Sequence, residues 1–447
     1  MDGETEAAIV GAGTTIAAVA TPHGRGGIGV VRLSGPEAAA IAGAVGSAPL
    51  LPRQALLSRW CDGTGATIDR GIQIYFPAPA SYTGEDVVEF HGHGNPVVLR
   101  ALLDRLLELG ARPAGPGEFT RRAVFHGKMD LTQAEAVAAT IDAATRRAAM
   151  AAQRQLDGAF GRFIGDCMDR ITALLATVEA QIDFVDEDLP RYAGEALRKQ
   201  AEELCGRLRR SLATAPFGMR LFSGVEIAIV GAPNVGKSTL LNRLSGCERA
   251  IVSDRAGTTR DLLEVDLELA GIPVRLVDTA GLHASDDPIE LEGMRRARAA
   301  AERADLVLLV VDATDGESRN CAVDADIRVM NKCDLIDPGE VPQGFLPICA
   351  RSGEGVERLL EEIVGRIDAA GCATGEDAMI TRLRHREAVE RALLAVERGM
   401  ALLDSEEMLD LAAAEWRSAW AALGEIVGIG DVERILDRIF STFCIGK

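Results

Sequence analysis

One stretch restricts the possible folds more than any other part of this chain. The apolar run VEIAIV is followed at once by GAPNVGKST, residues 231–239. This stretch matches GxxxxGK[ST], a pattern in which glycines let backbone N–H groups close around phosphates at the start of a helix. An ordinary glycine-rich turn is disfavoured, because a strand precedes the motif and a helical sequence follows it. The pattern predicts a nucleotide site with Lys237 at the β- and γ-phosphates and Ser238 at Mg²⁺.

Three further motifs follow in the order that a guanine-nucleotide switch domain requires. AGTTRD (256–261) offers Thr259 to Mg²⁺, DTAG (278–281) ends the strand VRLVD, and NKCD (331–334) ends the strand IRVM. A carboxylate at Asp334 can accept two N–H bonds from guanine, a pairing that adenine cannot make. Together the four motifs predict a GTP-binding domain.

The catalytic equipment of this domain differs from that of small signalling GTPases. Leu282 stands where those proteins carry a water-orienting glutamine. His283 is one candidate substitute, and a carboxylate within ASDDPIELEG is the favoured one. Asn234 can hold a monovalent cation beside the phosphates, where it would replace the charge of an arginine finger. The alternative for Asn234 is a loop-stabilising role.

The order of local patterns predicts several domains. Short β-type runs occupy the first segment, 1–128, and an alanine-rich helical pattern occupies 129–223. Strand and helix signals alternate over 224–373, which indicates a parallel sheet covered by helices, and helices return over 374–447. We expect a multidomain α+β protein in which a P-loop (Ras-like) α/β domain is inserted into one helical domain. The two helical halves could instead be separate domains.

Composition indicates the kind of protein and its compartment. The nine cysteines form no CxxC pair or metal-ligand pattern, which favours a reducing cytoplasm over disulfides or structural zinc. No apolar run reaches membrane-spanning length, and we expect neither a secretory signal nor a transit peptide. A net charge of −19 disfavours direct binding of nucleic acid through its phosphates. Any RNA substrate would then be held by local basic spots or by a partner.

The chain ends in STFCIGK, with Cys444 three residues from the end. Prenylation is disfavoured, because Gly446 and Lys447 occupy positions where that signal needs other residues. The terminus is then either loose or reaches into a site elsewhere in the fold.

Several longer strings give the whole chain a family resemblance. They are ATPHGRGGIGVVRLSG, SYTGEDVVEFHGHG, RPAGPGEFTRRAVFHGKMDLTQAEA, GAPNVGKSTLLN, IVSDRAGTTRD, DTAGL and FCIGK. With these strings the chain resembles the MnmE (TrmE) family of tRNA modification GTPases. The resemblance implies an N-terminal tetrahydrofolate-binding-like α/β domain that dimerises, and a potassium-stimulated G domain. It also implies a homodimer that joins an MnmG (GidA)-like FAD protein in a heterotetramer acting on tRNA.

The resemblance also assigns site residues in the G domain. It implies Glu290 as the catalytic carboxylate, with Glu292 as the fallback. Mg²⁺ would contact Ser238 and Thr259, and potassium would contact Asn234, Ser253, Arg255 and Thr258. The implied nucleotide contacts are Asn234, Val235, Gly236, Lys237, Ser238, Thr239, Ser253, Asp254, Arg255, Ala256, Gly257, Thr258, Thr259, Asp278, Thr279, Ala280, Gly281, Asn331, Lys332, Asp334, Cys349, Ala350 and Arg351. Cys349 departs from the family, which has serine there.

A folate site is implied in the first domain. Its residues would be Arg32, Glu89, Lys128 and the terminal Lys447, and its ligand 5,10-methylenetetrahydrofolate or 5-formyltetrahydrofolate. One carboxylate can accept the two adjacent N–H groups of a pterin, which suits Glu89. Cys444 is either a catalytic residue or a buried small apolar residue.

The function expected from the resemblance is GTP hydrolysis coupled to modification of C5 of the wobble uridine, with FAD on the partner protein. One alternative is a regulatory or ribosome-assembly GTPase without folate chemistry. Another is a folate-dependent one-carbon transferase whose G domain is passive. Residues 13–128 and the C-terminal tail distinguish the regulatory alternative, because the P-loop motifs cannot. The alternative with a passive G domain would be favoured if Glu290→Ala abolished GTP turnover but left tRNA modification intact.

Overall fold

The computed structural model describes residues 13–183, 194–247, 263–278, 302–315, 324–368, 378–404, 408–430 and 433–446. The chain forms two compact units. Unit 1 combines Met1–Ala138 with Gly424–Lys447, and unit 2 is Ala139–Leu423. The division into the four segments 1–128, 129–223, 224–373 and 374–447 stays a prediction.

The helices and strands are numbered in chain order. The first part of the chain forms β1 (Ile16–Val19), β2 (Gly26–Ser34), α1 (Ala38–Val45), β3 (Leu56–Cys61), β4 (Thr67–Phe76), β5 (Val87–Gly94), α2 (Pro96–Glu108), β6 (Arg112–Pro113), α3 (Glu118–Phe125) and α4 (Leu131–Asp142). The middle forms α5 (Arg146–Leu156), α6 (Ala159–Asp183), α7 (Gly194–Ser223), β7 (Val225–Val230), α8 (Lys237–Cys247), β8 (Leu263–Leu269), β9 (Ile272–Asp278) and β10 (Leu306–Asp312). The last part forms β11 (Ile327–Asn331), β12 (Leu346–Pro347), α9 (Val356–Asp368), α10 (Leu383–Ala401), α11 (Leu409–Val427) and α12 (Glu433–Phe440).

Unit 1 is built on a six-stranded sheet in the order β3-β4-β5-β2-β1-β6. Alternate residues of each strand point to opposite faces. Val31 of β2 and Phe90 of β5 lie in a hydrophobic core with residues of α1 and α2. Arg32 and Glu89, one position along each strand, point to the other face. The sheet thus has one buried apolar face and one face that carries charged side chains.

The C-terminal residues of unit 1 pack against α4 and the start of α3. Phe440 and Phe443 form a small hydrophobic cluster with Leu131 and Ala134 of α4. Gly117 allows this approach, because a Cβ atom there would lie 2.8 Å from Phe440 and 3.0 Å from Phe443. Its φ of +63° also lies in the left-handed region that glycine tolerates. This packing brings the end of the chain back to the N-terminal sheet.

Unit 2 contains a second six-stranded sheet, in the order β12-β11-β10-β7-β9-β8. The predicted parallel pairing is confirmed for every pair except β8 with β9, which is antiparallel. Only Ala270 and Gly271 separate these two strands, and a parallel pair needs a crossover of a dozen residues or more. Both residues have positive φ, +50° and +83°, as a tight hairpin turn requires.

The helices of unit 2 include α10 and α11, which approach closely where a glycine faces a tryptophan. A Cβ atom at Gly399 would lie 2.4 Å from Nε1 of Trp416, and this nitrogen donates to the Val396 carbonyl at 3.3 Å. Trp416 is fully buried, so its N–H needs this acceptor. Among the helices of the described ranges, none is both long and apolar enough to cross a membrane.

Candidate functional site

The loop between β7 and α8 depends on two glycines and one asparagine. Gly231 has φ +154°, and a Cβ atom there would lie 2.2 Å from the Val310 carbonyl oxygen. Gly236 has φ +99°, and its Cβ atom would lie 2.2 Å from Nδ2 of Asn331. Asn234 is exposed and left-handed at φ +60°, a conformation that Asn adopts more readily than most residues. The motif identified in the sequence therefore forms the expected turn before α8.

Lys237 opens α8 and bonds the loop that precedes it. Its Nζ donates to the carbonyl oxygens of Gly231 at 2.8 Å and Ala232 at 3.0 Å. Burial lowers the pKa of Lys237, and the Asp278 carboxylate opposes that shift. A phosphate at this loop would offer Nζ a charged acceptor in place of two neutral carbonyls, and such hydrogen bonds are the stronger kind.

Ser238 and Asp278 form the second half of the phosphate end. Ser238 Oγ donates to Asp278 Oδ2 at 3.0 Å. Asp278 ends β9 and is 1% exposed, and its Oδ1 is buried without a hydrogen-bond partner among the described residues. An unsatisfied buried carboxylate oxygen is costly, and oxygen ligands with ordered water are what Mg²⁺ prefers. The pair therefore fits the predicted Mg²⁺ site, with Asp278 reached through water.

Asn331, at the end of β11, joins the phosphate loop to the loop after β12. Its Nδ2 donates to the Val235 carbonyl at 2.7 Å, and its Oδ1 accepts from the Ala350 N–H at 2.9 Å. Asn331 and Val235 are both buried, whereas Thr239 is exposed. The Asn331 side chain thus holds two loops together. Ala350 is predicted to contact the nucleotide, and its N–H is already bonded to Asn331.

Asp334 and Lys332 differ in their surroundings. Asp334 lies in a short 3-10 turn, is exposed, and has no hydrogen bond or ion pair within the described residues. Its carboxylate is therefore open to the two N–H donors of a guanine base. Lys332 is left-handed at φ +64°, and its Nζ pairs with Asp312. Burial acts to raise the pKa of Asp312, but hydrogen bonds from Lys332 and Thr314 outweigh it and hold the pKa below its ordinary value.

Cys349 is accommodated within a tight turn. It is 4% exposed, its N–H donates to the Glu354 carbonyl at 2.9 Å, and its Sγ accepts from the Ser352 N–H at 3.4 Å. Arg351 is exposed, and its carbonyl accepts a hydrogen bond from Arg243 of α8. The cysteine therefore takes the place of the expected serine without opening the loop.

The remaining predicted G-domain residues lie outside the described residues, and their roles stay predictions. They are Ser253, Asp254, Arg255, Ala256, Gly257, Thr258, Thr259, Thr279, Ala280, Gly281 and Glu290. Glu292, the fallback for the catalytic carboxylate, lies outside them too.

A charged cluster on the polar face of the unit 1 sheet consists of Arg32, Glu89 and His91. Arg32 and Glu89 are direct partners in the β2–β5 register. Arg32 Nε and Nη2 lie 2.9 and 2.8 Å from Glu89 Oε1, and His91 Nε2 lies 3.0 Å from Oε2. Arg32 and Glu89 side chains are 15% and 17% exposed. The sheet therefore brings together two of the predicted folate residues, in a half-buried pair.

Two aromatic rings hold the Arg32 side chain. Its guanidinium carbon lies 5.3 Å from the Tyr82 ring centroid and 5.6 Å from that of Phe119. Such contacts attract a cation to the ring faces. Burial raises the pKa of Tyr82, and the Tyr82 hydroxyl shares a 2.8 Å hydrogen bond with Thr120. The aromatic contacts fix the guanidinium beside its carboxylate partner.

The sequence patterns did not predict His91, Tyr82 or Phe119 as site residues. The signal for His91 was present, because residues two apart on a strand share a face and Glu89 stands two positions before it. Tyr82 and Phe119 lie on separate segments, and their approach to Arg32 depends on the tertiary fold alone.

Lys128, the third predicted folate residue, lies apart from this pair. Its Nζ donates to the Pro79 carbonyl at 2.8 Å. In the described part of the chain, Lys128 makes no hydrogen bond or ion pair with Arg32 or Glu89. The loop that carries Pro79 also carries Tyr82, so Lys128 contacts a segment that borders the charged cluster.

The end of the chain lies against β1. A Cβ atom at Gly446 would lie 2.4 Å from the Val19 carbonyl oxygen, so the two backbones are in close contact. Val19 follows Ala18, which pairs directly with Arg32 across the sheet. The tail is therefore held one strand away from the charged cluster. Lys447 itself lies outside the described residues, and its folate contact stays a prediction.

Among the described residues, Cys444 makes its hydrogen bond through the backbone and not through its side chain. Its carbonyl accepts from the Gly117 N–H at 3.4 Å, and the next residue, Ile445, forms an antiparallel bridge with Pro116. The Cys444 thiol is exposed, so the alternative that it is a buried apolar residue is wrong. Its catalytic role stays a prediction.

Two family models match the chain. One, described as the GTP-binding protein TrmE N-terminus, matches residues 15–128. The other, described as the MnmE helical domain, matches residues 131–444, which is more than half of the chain. The chain belongs to the MnmE family of tRNA modification GTPases. Since the MnmE helical-domain match runs through the second sheet, it agrees with an α/β segment inserted into helices.

Relatives within the MnmE family match along nearly the full chain. A tRNA modification GTPase MnmE from Xanthomonas campestris pv. campestris (strain B100) is 45% identical over 97% of this chain and 99% of its own length. One from Parvibaculum lavamentivorans is 47% identical over 97% of this chain and 100% of its own. A variant of Era from Aquifex aeolicus, bound to GDP and AlF4−, matches with TM-score 0.28 and 27% identity. That match covers 38% of this chain and 67% of the other.

Proposed function

We propose that this MnmE family member hydrolyses GTP and, with a flavoprotein partner, modifies C5 of the wobble uridine in tRNA. A reduced folate, 5,10-methylenetetrahydrofolate or 5-formyltetrahydrofolate, would supply the one-carbon unit. The observation that carries the proposal is the placement of the C-terminal segment. Gly446 packs on β1, one strand from the Arg32–Glu89 pair, in a chain that also holds a phosphate loop.

The charged cluster suits a pterin because of its remaining hydrogen-bond capacity. Each carboxylate oxygen has two acceptor positions. In Glu89, Arg32 Nε and Nη2 both contact Oε1, and His91 faces one position on Oε2. Of the two adjacent N–H groups of a pterin, one would take the remaining position on Oε2 and the other would replace an Arg32 contact on Oε1. We place Lys128 and Lys447 at the carbonyls and glutamate tail of the folate.

The unit 2 site suits GTP because each end of the nucleotide has a matching group. Lys237 would bind the β- and γ-phosphates, and Asp334 would select guanine. Bound Mg²⁺ would neutralise phosphate charge, held by Ser238 and Thr259. We place potassium at Asn234, Ser253, Arg255 and Thr258 and the catalytic carboxylate at Glu290, with Cys444 as a catalytic residue of the RNA chemistry.

Two features support the proposed partners. The net charge of −19 leaves much of the tRNA contact to another protein, for which we propose an MnmG (GidA)-like FAD protein in a heterotetramer. The exposed apolar residues Leu57 and Ile72, on the charged face of the unit 1 sheet, support a homodimer through that unit. The cysteine pattern supports a cytoplasmic location.

The proposal is tested in cells that lack this protein, by mass analysis of wobble nucleosides. The wild-type gene should restore the modified nucleoside, and Glu89→Gln should not, because a neutral amide cannot accept both pterin N–H groups. Purified Glu89→Gln protein should lose reduced-folate binding but keep GTP hydrolysis. That hydrolysis should be faster in potassium than in sodium.

The matched control is Glu108→Gln, an exposed residue paired with Arg105 in the same unit. It should restore the nucleoside fully. Unchanged wobble nucleosides in the deletion strain, with GTP hydrolysis intact, would support the regulatory or ribosome-assembly alternative instead.

A further inference from the structure

The β8–β9 hairpin runs from the nucleotide site to the opposite end of its strands in the unit 2 sheet. Its register runs from Leu269 paired with Ile272 at the turn to Leu263 paired with Asp278 at the far end. Seven residue pairs span about 20 Å. Asp278 carries the carboxylate that bonds Ser238, so the hairpin has one end in the phosphate site.

The turn of this hairpin is held by α5. Thr145 Oγ1 donates to the Gly271 carbonyl at 2.7 Å, and Arg147 Nη1 donates to the Ala270 carbonyl at 3.1 Å. The contact is close as well as polar, because a Cβ atom at Gly271 would lie 2.9 Å from Cβ of Arg147. We call these four residues the hairpin latch. Both carbonyls that the latch binds belong to the left-handed turn.

The α5 side of the latch is itself fixed. Thr145 is the N-cap of α5 and is 4% exposed, and its Oγ1 also accepts from the Ala148 N–H at 3.2 Å. The Arg147 guanidinium lies 4.4 Å from the centroid of the Phe217 ring on α7. One hydroxyl thus caps the helix and donates to the turn, and the adjacent guanidinium is held by a ring. The hairpin turn docks on a rigid support.

A paired hairpin transmits a displacement along its length, because slipping by one residue would move its buried side chains to the other face. Leu267 and Leu269 of β8 and Val274 and Leu276 of β9 are buried in the unit 2 core, so a slip is strongly disfavoured. The position of the turn therefore determines the position of Asp278.

We propose that Thr145 and Arg147 are positioning residues for GTP hydrolysis, which act by holding the hairpin that places Asp278. The inference rests on the GTPase activity proposed above. Through the hairpin latch, a movement of Asp278 on nucleotide exchange or hydrolysis would be transmitted to α5. The latch thus gives the helices of unit 2 a direct connection to the phosphate site.

Three substitutions at Thr145 separate the latch from the helix cap. Thr145→Ser keeps both hydrogen bonds, Thr145→Asp keeps a capping acceptor but has no donor for Gly271, and Thr145→Val has neither. GTP hydrolysis by the full-length protein should fall about fivefold in Thr145→Asp, as expected for one lost hydrogen bond. The Mg²⁺ concentration for half-maximal rate should rise by a similar factor. Thr145→Ser should match the wild type in both the rate of GTP hydrolysis and its Mg²⁺ dependence.

The control is Thr172→Val, which removes a hydroxyl whose one hydrogen bond among the described residues goes to the Met168 carbonyl within α6. It should leave the rate and the Mg²⁺ dependence unchanged. If Thr145→Asp lowers only the melting temperature, while its rate and Mg²⁺ dependence stay at wild-type values, the latch has no role in hydrolysis. Failure of the wild-type protein to hydrolyse GTP would instead overturn the proposed function.

Discussion

At the scale of single residues, buried charges in unit 1 are held by nearly complete sets of partners. Arg122 is 1% exposed and donates to Glu85 at 3.0 Å, to Glu118 at 3.0 Å and to the Thr14 carbonyl at 2.8 Å. Glu118 also pairs with Arg112. Removing one member of such a set leaves a buried charge uncompensated, which costs more than the set contributes as a whole. These side chains therefore constrain α3 strongly.

We expect Glu118→Gln to destabilise unit 1 in a pH-dependent way. Burial acts to raise the pKa of Glu118, but its bonds to Arg112 and the Gly115 N–H and the charge of Arg122 hold it below its ordinary value of 4.5. The stability that the ionised Glu118 carboxylate contributes is complete above pH 4.5. It is lost as the pH falls through the lower pKa of the folded state. The variant should lose about 2 kcal/mol of unfolding free energy near neutral pH.

Denaturant unfolding at several pH values measures this difference. The difference in unfolding free energy between the wild type and Glu118→Gln should become smaller as the pH falls below 4.5. Glu108→Gln, in an exposed pair, should lie within about 0.5 kcal/mol of the wild type at every pH. If the difference in unfolding free energy between the wild type and Glu118→Gln stays constant at acidic pH, the charge of Glu118 does not contribute to stability.

At the scale of elements, the tail from Cys444 to Gly446 is an extended segment added to the fold of unit 1. Its bridge to Pro116 and the contact of Gly446 with Val19 are backbone contacts, so they depend on shape more than on side-chain chemistry. Gly446 has φ +101°, which strains any residue with a Cβ atom. The close contact of the tail with β1 therefore depends on Gly446.

Gly446→Ala should displace the tail. The added Cβ atom would lie 2.4 Å from the Val19 carbonyl oxygen and 2.9 Å from the Ala20 Cα atom, and backbone atoms cannot move aside cheaply. We expect reduced-folate affinity, measured by calorimetry, to fall at least about tenfold, while GTP hydrolysis stays near the wild-type rate.

Gly110→Ala provides the matched control for backbone strain. Gly110 has φ +109°, but nothing lies within 4 Å of its added Cβ atom. Its folate affinity should stay unchanged. Equal affinities for Gly446→Ala and the wild type would show that the tail does not complete the folate site.

At the scale of the whole molecule, the face of the unit 1 sheet that carries the charged cluster also exposes apolar side chains, since Ile72 pairs with His91. Leu57 and Ile72 are cross-strand partners and are 78% and 43% exposed. Ile28 is 70% exposed. Exposed apolar patches of this kind mark interaction surfaces, and the family resemblance supplies a second copy of the chain as the occupant. The proposed homodimer would cover this surface.

Leu57→Asp should weaken that dimer. Burying an unpaired carboxylate at the interface is unfavourable, so the dimer dissociation constant should rise at least about tenfold. Sedimentation of the full-length protein over a range of concentrations measures it. Val97→Asp is the control, because Val97 is also apolar and 77% exposed but lies on α2. If both variants sediment as the wild type does, this face does not form the dimer.

Local sequence predicted the elements whose determinants are neighbours in the chain. The phosphate loop, with its glycines and Lys237, follows from one contiguous motif, and the parallel core of the second sheet follows from the alternation of strands and helices. The antiparallel β8 was missed, because the two-residue turn at Ala270 and Gly271 lacks the asparagine or aspartate that usually marks a hairpin.

The sequence by itself determined the kind of site at each place, because glycines, a lysine and carboxylates at short fixed spacings have few alternative uses. The tertiary structure decided which distant residues meet. Arg32 and Glu89 stand 57 positions apart and pair only through the β2–β5 register. Thr145 meets Gly271 across 126 positions. Such pairings depend on strand register and close packing over the whole unit, and no local pattern encodes either one.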